Sequence, residues 1–321
     1  MAMETFLEFE KPIAELEGKI KELRHLSDSG EMDITAEVGK LQTRADQLLT
    51  ETYSQLTAWQ KTLVARHLDR PHFTHYVQGL IEDFTPLAGD RVFGDDRAIL
   101  GGPGRFRGRS VMVIGHEKGI GTDGRIAHNF GMAHPEGYRK ATRLLQMADR
   151  FSLPILTLVD TQGAYPGVGA EQRGQAEAIA RTIEVGLDVR VPVVSVILGE
   201  GGSGGAVALA IGNKVMMLEH SIYSVISPEG CAAILWRSSD KAKEAAEALK
   251  LTAQDLYKLR VIDQIISEPT GGAQRHPQEM VKRVGAAIAT AFDDLDALGD
   301  DADFRALRRK KFLDMGKVGL A

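Results

Sequence analysis

Short apolar segments alternate with helical segments from about residue 96 onward, and this alternation limits the possible folds more than any other feature of the sequence. Apolar runs at residues 110–114, 153–159 and 191–198 predict buried strands. Between them, the spacing of apolar residues predicts helices at 135–151 and 170–185. Strands that alternate with helices form right-handed βαβ units, so the sequence predicts an α/β fold.

The alternation continues beyond the third strand. A helix is predicted at residues 206–211, and short strands at 215–218 and 223–226. Ser227, Pro228 and Glu229 are typical of the start of the next helix, because they supply a cap, a first-turn proline and a first-turn acid.

The N-terminal part has a different, purely helical pattern. One narrow apolar seam predicts a first helix, and a second seam after a break at residues 27–30 predicts its partner. A third helical stretch is predicted at residues 54–67. The seams consist of Phe6, Phe9, Ile13, Leu16, Ile20 and Leu23, and then Val38, Leu41, Ala45 and Leu48. We therefore expect a helical segment at residues 1–75, which serves packing or dimerisation, and an α/β domain at 76–321.

Composition excludes several classes of protein. The net charge of −5 argues against general nucleic-acid binding. With Cys231 as the single cysteine, neither an intrachain disulfide nor a zinc site with several thiolates is possible. No apolar run reaches the roughly 18 residues of a membrane span, and the acidic N-terminus has no apolar signal core. We expect a cytoplasmic protein that does not enter the membrane.

Two glycine-rich loops follow predicted strands and precede predicted helices, at residues 160–169 and 199–205. Because ligands of α/β sheets bind beyond the carboxyl ends of the strands, both loops are expected on the ligand-binding face.

The second loop fits several patterns. Gly199, Gly201 and Gly204 match G-x-G-x-x-G, with Glu219 as a candidate ribose ligand of a dinucleotide. Gly201, Ser203 and Gly205 match the G-x-S-x-G of a serine hydrolase, for which His220 or His276 would complete a triad. Glycines at a helix start also leave main-chain N–H groups free to form an oxyanion hole. A purely structural role in close packing is the fourth reading.

Several ordered blocks resemble the alpha subunits of bacterial acetyl-CoA carboxylase carboxyltransferase. The resemblance extends from the N-terminal helices to about residue 294, with a carboxyltransferase unit at about 35–294. The blocks that carry it are residues 130–132, 135–141, 163–171, 199–205 and 223–232.

This resemblance implies a crotonase-like superhelix of repeated ββα units with an N-terminal helical extension. It implies carboxyl transfer from carboxybiotin on a biotin carboxyl carrier protein to acetyl-CoA, giving malonyl-CoA, the first committed step of fatty acid biosynthesis. The implied partners are a beta subunit that carries a zinc ribbon, in an α2β2 assembly, and a biotin carboxylase. No metal is expected on this chain. The alternatives are a subunit of another biotin-dependent acyl-CoA carboxylase, or a serine hydrolase that uses Ser203.

The resemblance also assigns roles within the loops. The N–H groups of Gly204 and Gly205 are the implied oxyanion hole for biotin, with Gly163 and Ala164 as second candidates. Gly201, Gly202 and Ser203 are expected to line the substrate site, with Ser203 as a packing or capping residue.

Other polar residues are expected outside this chemistry. We interpret His72 and His75 as surface residues, Glu219 as a strand-end residue and Glu229 as a first-turn acid. Three arginines are expected either to meet anionic groups of CoA or to be solvated, with solvation favoured: Arg125, Arg139 and Arg173.

Two segments depart from the family pattern. Gln162 replaces a proline that fixes the backbone of the first loop. The segment at residues 118–124 is glycine-rich where relatives carry more charge, which predicts a more mobile loop.

Overall fold

A mixed sheet of seven strands forms the centre of the computed structural model, which describes residues 5–28, 35–299 and 301–317. The main order is β1-β2-β3-β4-β5-β7, and β6 pairs with the end of β4. β1 is antiparallel to β2, and the other pairs are parallel. The strands are β1 (Ile99–Phe106), β2 (Arg109–His116), β3 (Ile155–Thr161), β4 (Val193–Gly202), β5 (Lys214–Leu218), β6 (Ile222–Ser224) and β7 (Gln264–Ile266).

Four α-helices precede the sheet in the described part of the chain: α1 (Lys11–Asp28), α2 (Thr35–Ser54), α3 (Ala58–Ala65) and α4 (Phe73–Leu80). α1 and α2 pack against each other as the predicted hairpin, with Ile13, Ile20 and Ala45 buried. The third helix predicted at residues 54–67 is present but shorter, because α3 starts at Ala58 after its cap, Thr57. The Thr57 hydroxyl accepts the Gln60 N–H (3.2 Å), and the Gln60 side chain accepts the Thr57 N–H (2.8 Å).

The remaining helices alternate with the strands or follow them. They are α5 (Gly121–Ala127), α6 (Pro135–Arg150), α7 (Val168–Gln172), α8 (Gln175–Asp188), α9 (Ser203–Val207), α10 (Pro228–Trp236), α11 (Ala242–Leu249), α12 (Ala253–Lys258), α13 (Pro277–Asp296) and α14 (Phe304–Asp314). No helix among the described residues combines the length and the apolar character needed to cross a membrane.

The predicted α/β fold is confirmed, and two helix boundaries need correction. The helix predicted at residues 170–185 is two helices, because Gly174 has a left-handed φ of 80°. The helix predicted at 206–211 is also wrong: β4 continues through Gly202, and α9 spans Ser203–Val207. The division of the chain at residue 75 stays a prediction.

Apolar layers cover both faces of the sheet. Alternation along β3 sends Ile155 and Val159 to the face that α6 and α8 cover, and Leu156 and Leu158 to the opposite face. There, α4 and α13 supply the packing partners. Because helices bury both faces, the free ends of β3 and β4 are the positions where polar loops can form a site.

Candidate active site at the carboxyl ends of β3 and β4

The two glycine-rich loops lie against each other at the ends of β3 and β4. Thr161 pairs with Gly201 in the sheet. A Cβ atom on Gly202 would lie 2.2 Å from the Gln162 carbonyl oxygen, and one on Gly205 would lie 2.8 Å from the Ala164 nitrogen. Only glycine permits these approaches. The structure thus brings the sequence-predicted residues of both loops into one site.

The first turn of α9 presents the Gly204 and Gly205 N–H groups. Amides in a first helical turn have no partner inside the helix, and Gly202 supplies no capping side chain. We find no acceptor for either amide among the described residues. These amides are therefore available to stabilise negative charge on a ligand.

The first loop offers a less available donor. The Gly163 N–H already donates to the Thr161 hydroxyl (3.1 Å), which also bonds the Gly163 carbonyl (2.8 Å). The Ala164 N–H has no acceptor within the described part of the chain. Of the two second-choice donors, Ala164 is the one left free, and it is adjacent to Gly205.

Next to the loops, a buried carboxylate contacts two basic side chains. Asp160 lies 2.6 Å from the Lys118 ammonium and 3.4 Å from Nδ1 of His72. Burial would raise the pKa of Asp160, but Lys118 and His72 hold that pKa well below its usual range. Asp160 is therefore an anion at neutral pH.

A second ion cluster joins three elements beside the site. Arg66, at the end of α3, donates from Nε to Glu200 of β4 (2.8 Å) and from Nη1 to Glu229 of α10 (2.6 Å). Burial opposes ionisation of Glu229, yet the bond from Arg66 leaves its pKa below the usual range. A cavity of about 210 Å³ opens between the two clusters, lined by Arg66, His72, Lys118, Phe130, Gln162 and Glu200.

A family model described as acetyl co-enzyme A carboxylase carboxyltransferase-like matches residues 6–316. The chain belongs to that family. Acetyl-coenzyme A carboxylase carboxyl transferase subunit alpha of Paramagnetospirillum magneticum is 67% identical to it, and that of Rhodospirillum centenum 64%, each over 98% of this chain and 99% of the relative. The predicted enzyme class, a transferase of acetyl-CoA carboxylase and fatty acid biosynthesis, is confirmed.

Solved structures of low sequence identity share the fold. A transcarboxylase 12S with methylmalonyl-CoA bound has a TM-score of 0.60 and 17% identity, covering 74% of this chain and 43% of that one. A Pseudomonas malonate decarboxylase hetero-tetramer in complex with coenzyme A has a TM-score of 0.59 and 15% identity, covering 73% and 90%. The predicted crotonase-like fold is confirmed.

The described residues form neither the catalytic triad of a serine hydrolase nor the dinucleotide site that the glycine patterns also suggested. Among the described residues, the Ser203 hydroxyl has no hydrogen bond to a histidine. His220 is buried against Tyr53, and His276 precedes α13. Glu219 accepts the Glu268 N–H (3.0 Å). Ser203 is the first residue of α9 and does not cap it, so of its two predicted roles, packing or capping, the capping role is wrong.

Several polar residues differ from their predicted surroundings. His72 is buried and faces Asp160, so its interpretation as a surface residue is wrong. Arg139 pairs with Asp90 (2.7 Å), and Arg173 pairs with Glu136 (2.6 Å), so these two arginines are not simply solvated. Of the segment predicted as a mobile loop at residues 118–124, residues 121–124 belong to α5 and are helical.

Of the three arginines, Arg125 alone could still meet an anionic ligand. It lines the cavity and donates to the Leu68 carbonyl (3.1 Å), and the described residues give it no carboxylate partner. No group of three or more His, Cys, Asp or Glu side chains in the described ranges could hold a metal ion.

The two ion clusters have no direct signature in the sequence. Lys118 and Arg66 come from separate segments of the chain, and of the clustered residues only Asp160 and Glu200 stood inside the predicted loops at 160–169 and 199–205. One signal was available: Asp160 is a charged residue at the end of an apolar strand. A buried charge requires a partner, so its position predicts a cation nearby.

Proposed function

We propose that this chain is the alpha subunit that, with a beta subunit, transfers a carboxyl group from biotin to acetyl-CoA and yields malonyl-CoA. The N–H groups of Gly204 and Gly205 would stabilise the negative charge that develops on the biotin ureido oxygen. The observation that supports this role is the pair of unengaged amides in the first turn of α9, adjacent to the free Ala164 N–H.

Carboxybiotin would supply the carboxyl group as CO2, and its ureido oxygen, held by the Gly204 and Gly205 amides, would then take a proton from the acetyl methyl group. The acetyl carbon that loses this proton would form the new carbon–carbon bond to CO2. The chain contributes fixed donors, since the glycine main chain needs no rearrangement to meet that charge. Removing one such donor costs about 2.7–4 kcal/mol of activation free energy in comparable sites. Gly201, Gly202 and Ser203 would form the wall of the same site.

The proposed assembly follows from the subunit type. A beta subunit of the same fold, with its own zinc ribbon, would complete an α2β2 carboxyltransferase and supply the donors for the thioester. A biotin carboxyl carrier protein would bring the biotin, which a biotin carboxylase charges. We propose a cytoplasmic location for this assembly.

A pair of glycine substitutions tests the oxyanion assignment in the complex with a matching beta subunit. An alanine methyl group at Gly205 would lie 2.8 Å from the Ala164 nitrogen and the Tyr138 hydroxyl, so Gly205→Ala must separate the two loops. We expect a fall in kcat of about 100-fold or more. At Gly204 the methyl group would meet Ile179 at an ordinary 3.5 Å, so Gly204→Ala keeps the amide and should cost less than about tenfold.

The readout is malonyl-CoA formation from carboxybiotin, with propionyl-CoA as an alternative acceptor to identify the acyl preference. The folded state of each variant is checked by its melting temperature and by binding of the beta subunit. Full activity of a folded Gly205→Ala complex would refute the oxyanion role. Absence of any carboxyl transfer by the wild-type complex would refute the proposed function itself.

A further inference from the structure

The pairing of β3 with β4 is irregular just before the glycine segment. Val159 pairs with Ile197, and the next pair is Thr161 with Gly201. Three residues of β4, Leu198 to Glu200, therefore stand opposite the single residue Asp160. Such a bulge redirects a strand, and here it sets the direction in which β4 enters α9.

The Asp160 carboxylate bonds the main chain of this bulge. Its Oδ1 accepts the Glu200 N–H at 2.9 Å, and the side chain is 3% exposed. A Cβ atom on Gly199 would lie 2.7 Å from the same oxygen and 2.8 Å from the Ala65 carbonyl. The main chain thus follows the surface of the carboxylate so closely that only glycine fits at position 199.

Glu200 is held at both ends. Its N–H is bound by Asp160, and its carboxylate is bound by Arg66. Only Gly201, Gly202 and Ser203 separate this fixed residue from the Gly204 amide. The anchoring of Glu200 therefore limits where that amide can point.

The anion itself needs compensation, because an unpaired negative charge near the site would oppose the charge that the amides stabilise. Lys118 contacts Oδ1 at 2.6 Å, and His72 faces Oδ2 at 3.4 Å. Lys118 and His72 both come from outside β3 and β4.

We propose that Asp160 is a positioning residue for carboxyl transfer. By accepting the Glu200 N–H it fixes the bulge that orients the Gly204 and Gly205 amides, and Lys118 neutralises its charge. This inference rests on the proposed function.

Substitutions of Asp160 in the complex with the beta subunit test this role. Asp160→Ala removes the acceptor, and we expect kcat to fall about 100-fold with KM for acetyl-CoA changed less than about threefold. Asp160→Asn keeps an oxygen for the Glu200 N–H and should retain activity within about fivefold of wild type. Asp149→Ala is the matched control, because Asp149 accepts the Arg190 N–H (2.7 Å) and pairs with the Arg190 side chain at the far end of α6.

Amide hydrogen exchange of the peptide at residues 199–207 gives a second readout that does not depend on activity. We expect faster exchange in Asp160→Ala and wild-type exchange in Asp160→Asn and Asp149→Ala. Wild-type kcat in Asp160→Ala, or equal damage from Ala and Asn with unchanged exchange, would overturn the proposal. If the wild-type complex transfers no carboxyl group, the proposed function fails, while the exchange experiment still decides the positioning role.

A double substitution tests the part played by Lys118. Lys118→Met leaves Asp160 without its closest cation, and we expect a loss in kcat of about tenfold or more. Adding Asp160→Asn removes the uncompensated charge and should restore activity toward that of Asp160→Asn alone. A double variant no better than Lys118→Met would show that Lys118 does not act by neutralising Asp160.

Discussion

Ser203 has a left-handed backbone, with φ of 53°, at the first position of α9. This conformation costs a non-glycine residue about 1–2 kcal/mol, which is the kind of strain found at functional turns. A nucleophilic serine also needs an adjacent base, however, and no histidine bonds the Ser203 hydroxyl in the described residues. The strain therefore belongs to the sharp turn between β4 and α9, where the main chain must present its amides.

Ser203→Gly tests this distinction directly. Glycine adopts a left-handed backbone without penalty, so the turn and both amides should be preserved. We expect carboxyl transfer within about threefold of wild type and a free energy of unfolding equal to or higher than that of wild type by about 1 kcal/mol. An active-site phosphonate should label neither protein. Loss of all activity in a folded Ser203→Gly complex would instead indicate a chemical role for the hydroxyl.

At the scale of elements, the glycine-rich segment illustrates a limit of sequence patterns. Glycine has weak propensity for both helix and strand, so residues 199–205 do not reveal where β4 ends. Pairing of Gly202 with Ser224 of β6 decides that the strand continues to Gly202. That pairing depends on a partner more than twenty residues away, which no local window contains.

Elements around the site are joined by a buried ion pair that the sequence did not predict. Arg70, after α3, donates two 2.8 Å bonds to Glu268, after β7, and a third bond to the Leu198 carbonyl in the β4 bulge. Glu268 also accepts the N–H groups of His220 and Ala273. One carboxylate thus fixes the loops after α3, β5 and β7 to the end of β4.

We expect Glu268→Ala to lower the free energy of unfolding by about 3–5 kcal/mol, because it leaves Arg70 charged and buried without its partner. Chemical denaturation measured by circular dichroism would show the change. Asp294→Ala, which removes an exposed ion pair with Lys214, is the control and should cost no more than about 1 kcal/mol. Equal effects of the two substitutions would mean that Glu268 contributes little to linking these loops.

At the scale of the whole molecule, the pattern of strands and helices was sufficient to predict the α/β fold, and ordered motif blocks were sufficient to predict the family. The charged surroundings of the site were not predictable in the same way. The four charged residues around the site are far apart in sequence, and each alone is of a type that usually lies on the surface: Arg66, Lys118, Asp160 and Glu200. Whether they come together depends on which strands are neighbours in the sheet. Patterns of single residues do not encode that order.

Buried ionisable groups also predict how the stability of the whole molecule varies with pH. His116 at the end of β2 is fully buried, and burial lowers its pKa from 6.5 to about 4. Between these values the unfolded chain binds more protons than the folded chain, so stability decreases as pH falls from 6.5 to 4. The whole His116 contribution is about 3 kcal/mol. Below that window, Glu268 extends the loss, because its partners hold its folded pKa at about 2 against burial.

Replacing His116 with an apolar residue isolates the first of these windows. Both its ring nitrogens lack a hydrogen-bond partner within the described residues, so His116→Leu sacrifices no polar contact there. We expect urea denaturation of this variant to show a flatter decline in stability between pH 6.5 and 4, with the steep loss below pH 4 retained. His25→Leu on the exposed side of α1 should leave the wild-type profile in place. If the free energy of unfolding of His116→Leu declined as steeply as that of wild type between pH 6.5 and 4, the loss of stability in this range would come from other groups. The buried carboxylates would then have to take up protons at a higher pH than their lowered pKa values permit.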